Sequence, residues 1–268
     1  MGQERRNTML QCPVCKKTLK KQNQCYQCEN RHSFDIAKQG YTNLYMKSSK
    51  NSGDNREMVM ARTNFLSMDY YRPLCEEIIS LIQKLPHDVI VDAGCGEGYY
   101  TKQISENCKC DMYAFDLSKE ALKHASRQDK RSHYFLNSIF DLPIQSHSVD
   151  LILNLFAPLA VDEFERIIKK EGYLIKVDPD KNHLHQMKEF LYDTTYENEI
   201  LNLHLDNFRL LSHKKVCYRM NLAQDALKAL IKMTPYYYRT KKDRINALLQ
   251  QESMCIDAAF IIYLYQKK

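Results

Sequence analysis

The sequence predicts an α/β protein with a doubly wound, mostly parallel sheet, preceded by a small cysteine-rich module. From residue 89 onwards, short apolar segments alternate with amphipathic segments of helical length, which is typical of such a sheet. A glycine-rich turn follows the first apolar segment, as expected where a strand leads into a helix beside a ligand. Two Cys-x-x-Cys pairs near the N-terminus indicate the separate module.

Length and composition limit the classes of protein to which the chain can belong. The 268 residues can bury a sizeable core, and 27% of them are charged. No apolar run approaches eighteen residues and the N-terminus does not resemble a signal peptide, so we expect a soluble, cytoplasmic protein without a membrane partner. Four of the ten cysteines fall between residues 12 and 28, which favours a metal site over disulfides in a reducing compartment.

Basic charge is concentrated at the N-terminus. Residues 1–50 contain ten Lys or Arg and three acids, a net charge of +7, whereas the remaining 218 residues contain 29 bases and 30 acids. A locally basic module attracts a polyanion such as RNA, although a solvated basic surface without a partner is the alternative.

The two Cys-x-x-Cys pairs predict a zinc site. Cys12 and Cys15 form the first pair, Cys25 and Cys28 the second, and His32 follows. Two such pairs supply the tetrahedral thiolate cage that Zn²⁺ prefers, and a module this small needs the metal to fold. Spacing alone favours Cys12, Cys15, Cys25 and Cys28, because the second pair repeats the first, but it leaves open the alternative in which His32 replaces Cys25.

A polar stretch from Lys47 to Asn55 predicts a linker. We therefore predict a zinc-binding, RNA-recognising module over residues 1–46 and a catalytic domain over 47–268, in which 47–88 form the linker and covering helices. One covering helix is expected from Arg56 and another from Pro73 to about Leu85.

The remaining elements follow in the order that a seven-stranded sheet requires. Strands are expected near 89–93, 111–116, 133–137, 149–156 and 173–178, with helices near 98–107, 118–128 and 161–170. Two further strands near 215–221 and 257–265 complete the sheet with one antiparallel member.

The glycine loop identifies the ligand class. Three of the seven glycines follow Asp92 at alternate positions, Gly94, Gly96 and Gly98, whereas a dinucleotide fingerprint would need its third glycine at Tyr99. Asp116 ends the next apolar segment, where a carboxylate can meet ribose hydroxyls. The pattern resembles motif I of class I (Rossmann-like) S-adenosylmethionine-dependent methyltransferases.

Short motifs spread over nearly the whole chain resemble those of one family, the zinc-containing bacterial 23S rRNA (guanine-N1)-methyltransferases that modify helix 35. They include Cys12-Pro13-Val14-Cys15, Cys28 with His32, Ala37-Lys38, Gly40-Tyr41, Gly53-Asp54, Glu57-Met58, Ala61-Arg62, Phe65-Leu66, the loop 94–100, Ala157-Pro158, His183-Leu184 and Met233-Thr234-Pro235.

The resemblance implies a ligand set for each cofactor. For Zn²⁺ it implies Cys12, Cys15, Cys28 and His32, which makes Cys25 a departure from the family pattern. For S-adenosyl-L-methionine it implies Tyr71, Asp92, Gly94, Cys95, Gly96, Glu97, Gly98, Tyr99, Asp116, Leu117 and His183. A packed helix aromatic is the alternative for Tyr71, and a surface loop histidine is the alternative for His183.

The implied reaction is methyl transfer to N1 of a guanine in a hairpin loop of 23S rRNA, performed by a homodimer. Guanine N1 carries a proton that must leave, and the candidates for its acceptor or for another catalytic role are Asp178, Glu97 and Asn154. One alternative is a methyltransferase for another RNA or a small molecule. Another is a non-catalytic zinc-dependent RNA-binding protein, although the intact loop and Asp116 argue against it.

Overall fold

An eight-stranded sheet forms the centre of the protein. The computed structural model describes residues 9–47, 54–194 and 204–268. Most of the predicted linker, residues 48–53, lies outside these ranges, and so does Gly53 of the family motif Gly53-Asp54. The strands of the sheet lie side by side in the order β10 (Phe208–Ala223), β11 (Ser253–Lys267), β9 (Ile168–Pro179), β8 (Val149–Leu155), β5 (Val89–Ala93), β6 (Asp111–Asp116), β7 (His133–Leu136) and β4 (Tyr41–Asn43). Strand β11 runs antiparallel to both of its neighbours. Strands β5 to β11 have the order and the single antiparallel member of a class I methyltransferase sheet, so the predicted fold class is confirmed.

The five central strands are parallel and apolar. Along the chain they are β5 (Val89–Ala93), β6 (Asp111–Asp116), β7 (His133–Leu136), β8 (Val149–Leu155) and β9 (Ile168–Pro179). Their side chains are buried on both faces, by helices and, on part of one face, by the N-terminal module, which explains why the sequence shows continuous apolar runs instead of alternation.

Three helices connect these strands. Helices α3 (Tyr99–Asn107), α4 (Lys119–Gln128) and α5 (Val161–Ile167) match their predicted positions, except that α5 is shorter. Strand β9 begins at Ile168, five residues before the predicted start at 173, because Glu171, with φ of 61°, and Gly172 form an irregularity within the strand.

Two helices precede β5, as predicted, and the first of them lies beside the glycine loop. Helix α1 (Arg56–Ser67) starts at Asn55, whose side chain accepts a hydrogen bond from the amide of Met58. Helix α2 (Arg72–Ile82) has Pro73 in its first turn and buries Leu74, Cys75, Ile78 and Ile82.

The C-terminal part contains the longest strands. Helix α6 (His185–Leu191) follows β9, and β10 (Phe208–Ala223) pairs along its length with β11 (Ser253–Lys267). Between these strands lie α7 (Gln224–Lys232), α8 (Tyr236–Arg239) and α9 (Lys242–Leu249), and α7 packs against α1. The sequence predicted only the central parts of β10 and β11, because the exposed residues of β10 lack an apolar pattern.

The N-terminal module packs directly on the main sheet. Its own three-stranded antiparallel sheet consists of β1 (Lys20–Gln22), β2 (Cys25–Gln27) and β3 (Ser33–Asp35). The next strand, β4 (Tyr41–Asn43), pairs in parallel with β7 and is the eighth strand of the main sheet. Three residues are too few for a periodic signal, so the sequence did not indicate this strand.

No helix in the described ranges is long and apolar enough to cross a membrane.

Candidate functional site

A cavity of about 570 Å³ opens at the carboxyl ends of the parallel strands. The loop after β5, the ends of β6, β8 and β9, helix α1 and residues 233–236 form its walls. Parallel sheets bind ligands at this edge, where the strand order reverses beside β5. Nine of the eleven predicted cofactor positions line the cavity; they are Tyr71, Asp92, Gly94, Cys95, Gly96, Glu97, Asp116, Leu117 and His183.

The glycine loop has a backbone that other residues adopt poorly. The φ angles of Gly94, Gly96 and Gly98 are 96°, 55° and 84°, all in the left-handed region. A Cβ at Gly94 would lie 2.6 Å from Cβ of Ala157, and one at Gly98 would lie 2.7 Å from Cβ of Ala125. The loop therefore needs glycine both for its conformation and for its close packing.

The remaining two predicted cofactor positions, Gly98 and Tyr99, lie just behind the cavity wall. Gly98 caps α3, and Tyr99 is half-buried against the ring of Tyr100. Tyr100 lines the cavity instead of Tyr99, and its buried hydroxyl has no hydrogen-bond partner within the described ranges. The turn from loop to helix decides which of the two side chains faces the cavity, and no spacing rule shows this in the sequence.

Asp116 holds a fixed orientation at the end of β6. The amide of Ser118 donates to its Oδ1 at 2.7 Å, and the amide of Gly96 donates to its Oδ2 at 2.9 Å. Burial raises the pKa of Asp116, while these two amides act in the opposite direction. Each carboxylate oxygen keeps a lone pair with which to accept a ribose hydroxyl.

Asp92 is buried at the start of the loop, and within the described residues only one of its two carboxylate oxygens accepts a hydrogen bond. Thr101 Oγ1 donates to its Oδ2 at 2.6 Å, whereas its Oδ1 has no hydrogen-bond partner in the part of the chain that the structure describes. Burial raises the pKa of Asp92 to about 7. A buried carboxylate with a free oxygen suits a cationic group, such as the ammonium of a bound amino acid.

Arg62 of α1 neutralises the acids around the loop. It contacts the carboxylate of Asp54, and its Nη1 lies 3.8 Å from Oε2 of the buried Glu97. Burial raises the pKa of Glu97, whereas the charge of Arg62 lowers it. The sequence alone indicates no role for Arg62, because a lone arginine on an amphipathic helix is usually solvated.

Tyr71 and His183 form a hydrogen-bonded pair in the cavity wall. The amide of Ala259 donates to His183 Nδ1 at 3.2 Å, so the ring proton of the neutral imidazole lies on Nε2. Nε2 is 3.3 Å from the hydroxyl oxygen of Tyr71, which therefore accepts this proton and can direct its own O–H towards a ligand. Burial lowers the pKa of His183 to about 3, so the imidazole is neutral at physiological pH.

Two of the three catalytic candidates do not face the cavity. The Nδ2 atom of the fully buried Asn154 donates to the carbonyls of Ala93 and Pro158 at 3.1 and 3.0 Å, which ties β5 to the turn after β8. Oδ1 of Asp178 lies 2.5 Å from Nζ of the buried Lys176. Only Glu97 lines the cavity, and the assignment of a catalytic base stays a prediction.

Cys12, Cys15, Cys28 and His32 bring one potential ligand atom each to a common point. These atoms all lie within 4.8 Å of one another. The Sγ atoms of Cys15 and Cys28 are 3.7 Å apart, and His32 Nδ1 is 3.5 Å from Sγ of both Cys12 and Cys28. A tetrahedral zinc ion with usual bond lengths requires S–S and S–N separations of about 3.8 and about 3.6 Å. The arrangement therefore fits Zn²⁺.

Cys25 lies apart from this cluster. It is on β2, and its thiol donates to the carbonyl of Gln22 at 3.4 Å. Its strand position therefore separates it from the second knuckle, which consists of Cys28 and the turn to His32, with the amide of Cys28 donating to the carbonyl of His32 at 3.1 Å.

Two family models match the chain. The model described as "RlmA, N-terminal", a zinc ribbon, matches residues 10–52, and the model described as "Methyltransferase domain" matches residues 91–176. With the strand order, the glycine loop and the Cys/His cluster, they define a class I methyltransferase that uses S-adenosylmethionine and carries a zinc ribbon.

Comparison with curated proteins identifies the family. The chain is 28% identical over 246 residues to the 23S rRNA (guanine(748)-N(1))-methyltransferase of Streptomyces fradiae, covering 88% of each chain. It is 30% identical over 265 residues to a Bacillus subtilis protein named "Putative 23S rRNA (guanine-N(1)-)-methyltransferase YxjB", covering 92% of this chain and 93% of that one. The chain belongs to the 23S rRNA (guanine-N1)-methyltransferase family.

Proposed function

We propose that the protein transfers a methyl group from S-adenosylmethionine to N1 of a guanine in helix 35 of 23S rRNA. The observation that carries this proposal is the similarity to relatives named for 23S rRNA guanine-N1 methylation, which extends over 88% or more of the chain and includes both the zinc ribbon and the methyltransferase domain. The choice of helix 35 rests on the motifs that resemble the family.

Different residues of the cavity are expected to contact different parts of the cofactor. We propose that the loop from Gly94 to Gly98 passes under the methionine part, and that Asp116 accepts the ribose hydroxyls with Leu117 beside the adenine. The free oxygen of Asp92 suits the ammonium group, and the O–H of Tyr71, positioned by His183, suits the carboxylate. When bound, S-adenosylmethionine supplies a sulfonium methyl group. The cavity walls hold the acceptor nitrogen in line with it and exclude water.

The acceptor must leave its helix before it can react. Watson–Crick pairing buries guanine N1, so the target is an unpaired loop base or a flipped base. Its N1 proton must pass to an acceptor as the N–C bond forms. Among the three candidates, Glu97 is supported by its position in the cavity wall, although Arg62 stabilises its charged form and so weakens it as a base.

The zinc ribbon supplies a basic surface for RNA, and we propose that Cys12, Cys15, Cys28 and His32 hold its metal. Within residues 9–46, which the structure describes, six basic side chains are exposed; they are Lys16, Lys17, Lys20, Lys21, Arg31 and Lys38. Contacts between such side chains and phosphates make RNA affinity fall steeply as salt concentration rises.

We also propose that the protein acts in the cytoplasm as a homodimer. Leu210 and Leu211 on the edge strand β10 are 45% and 42% exposed, which fits a surface that another copy covers. A sedimentation mass of one chain at micromolar concentration would contradict the dimer.

The proposed reaction predicts one product in vitro. Purified protein incubated with labelled S-adenosylmethionine and an rRNA fragment containing helix 35 should form N1-methylguanosine, detected by mass spectrometry of digested nucleosides. Asp116→Ala removes the proposed ribose acceptor and should abolish product formation at cofactor concentrations that saturate the wild type. Label in a different nucleoside would contradict the guanine-N1 assignment, and methylation of an unrelated RNA with equal efficiency would contradict the substrate.

A further inference from the structure

The turn that follows β8 contains a strained aromatic residue in the cavity wall. Phe156 has φ of 56°, a left-handed conformation that is unusual for a bulky side chain. Its ring is 40% exposed and lines the cavity. A strained backbone that presents an apolar ring to a cavity suggests a ligand contact, because packing alone gives no reason to expose it.

Buried side chains hold this turn in place. The amide of Phe156 donates to the carbonyl of Val177 at 2.9 Å, and Asn154 binds the carbonyl of Pro158. Nζ of Lys176, which is 2% exposed, donates to the carbonyl of Ala157 at 3.1 Å. Hydrogen bonds to β8 and β9 therefore hold the backbone of residues 156–158, which fixes the direction in which the side chain of Phe156 leaves the chain.

The ring lies on the acceptor side of the glycine loop. Strand β5 has β6, with Asp116, on one side and β8, with Phe156, on the other. The turn touches the loop directly, since Gly94 packs so closely on Ala157 that no Cβ would fit between them. A cofactor that extends from Asp116 to the loop leaves the space over β8 for the base that receives the methyl group.

Among the described residues, no aromatic ring stacks in parallel on the ring of Phe156. The ring of Phe260 lies at a centroid distance of 5.6 Å with an interplanar angle of 61°, and the ring of Tyr100 lies at 6.2 Å with an angle of 48°. Neither arrangement is parallel. An exposed aromatic face is the surface on which nucleobases stack.

We propose that Phe156 is the platform on which the target guanine stacks beside the methyl donor. The proposal rests on the proposed function, since it assigns a contact to the acceptor base of that reaction. The ring does not read the identity of the base; it holds the flipped base flat, so that N1 points along the cavity towards the loop.

Two substitutions test this role. Phe156→Leu removes the aromatic face but keeps an apolar side chain, whereas Phe156→Tyr keeps the face and is the matched control. We expect Phe156→Leu to lower kcat/KM for the helix 35 fragment about tenfold or more, and Phe156→Tyr to stay within about threefold of the wild type. Calorimetry should show S-adenosylmethionine affinity within about twofold of the wild type for both variants, and thermal unfolding verifies that both are folded.

Other outcomes separate this proposal from the proposed function. If the wild type leaves guanine unmethylated, both are wrong. If the wild type is active and Phe156→Leu is equally active, only the platform is wrong. Weaker S-adenosylmethionine binding by Phe156→Leu, with normal binding by Phe156→Tyr, would also overturn it, because the ring would then pack on the cofactor.

Discussion

Cys28→Ser should release the zinc ion, whereas Cys25→Ser should leave it bound. Sγ of Cys28 lies within 3.7 Å of two other candidate ligand atoms, those of Cys15 and His32, and serine is a poor zinc ligand. Cys25 lies on β2 with its thiol directed at a backbone carbonyl. Structural zinc contributes most of the folding free energy of such modules, so loss of the metal should unfold the ribbon.

The measurement is zinc content per chain together with RNA affinity. Wild type and Cys25→Ser should hold about one ion, and Cys28→Ser should hold almost none after dialysis against a weak chelator. RNA affinity should fall in Cys28→Ser alone. Equal metal loss in both variants would contradict the ligand set.

Asp92→Asn should weaken S-adenosylmethionine binding by roughly ten- to hundredfold at pH 8, because a buried carboxylate for the ammonium group is lost. The wild-type pKa is raised from 3.8 to about 7, so ligand affinity should rise with pH until Asp92 is ionised above about pH 7. The variant should lack this component of the pH dependence.

Asp92→Asn should weaken ligand binding, but it should stabilise the fold of the unliganded protein at high pH. The folded state holds the Asp92 proton more tightly than the unfolded chain does. The contribution of this proton to the free energy of unfolding is therefore fully present below about pH 4 and is lost as pH rises to about 7. At pH 8, Asp92→Asn should therefore raise the free energy of unfolding by more than about 1 kcal/mol. Calorimetry and denaturant unfolding between pH 5 and pH 8 test both effects, with the exposed Asp162→Asn as the control. A variant that binds normally would contradict the role of Asp92.

The sequence was informative where spacing determines geometry. Alternate glycines after Asp92 indicated a loop that only glycine can form, and the acid at position 116 was placed by the length of one strand. The preference for His32 over Cys25 as the fourth ligand came from family resemblance, and the side-chain cluster has the same composition. These features depend on local chain geometry, which short motifs encode.

Contacts between residues far apart in the chain could not be predicted from the sequence. Arg62 of α1 lies beside Glu97 of the glycine loop, and Asn154 ties the end of β5 to the turn after β8, so the pattern within one element could not assign either role. Phe156 carries no motif of its own, since its significance lies in a positive φ and an exposed ring.

The relation between the two predicted domains also depends on long-range pairing. The boundary at residue 46 stays a prediction, and β4 of the N-terminal part lies in the main sheet. Tyr26 of the ribbon contacts His133 at 3.1 Å. Deletion of residues 1–46 would therefore damage the catalytic sheet as well as the ribbon, and substitution of a zinc ligand separates the two roles better.

The most direct test is a map of N1-methylguanosine in large-subunit rRNA from cells with and without the gene, by primer extension and mass spectrometry. We predict that one N1-methylguanosine in helix 35 disappears without the gene. A plasmid copy of the wild type should restore it, and Asp116→Ala should not. An identical map in both strains would contradict the assignment of this protein as a 23S rRNA guanine-N1 methyltransferase.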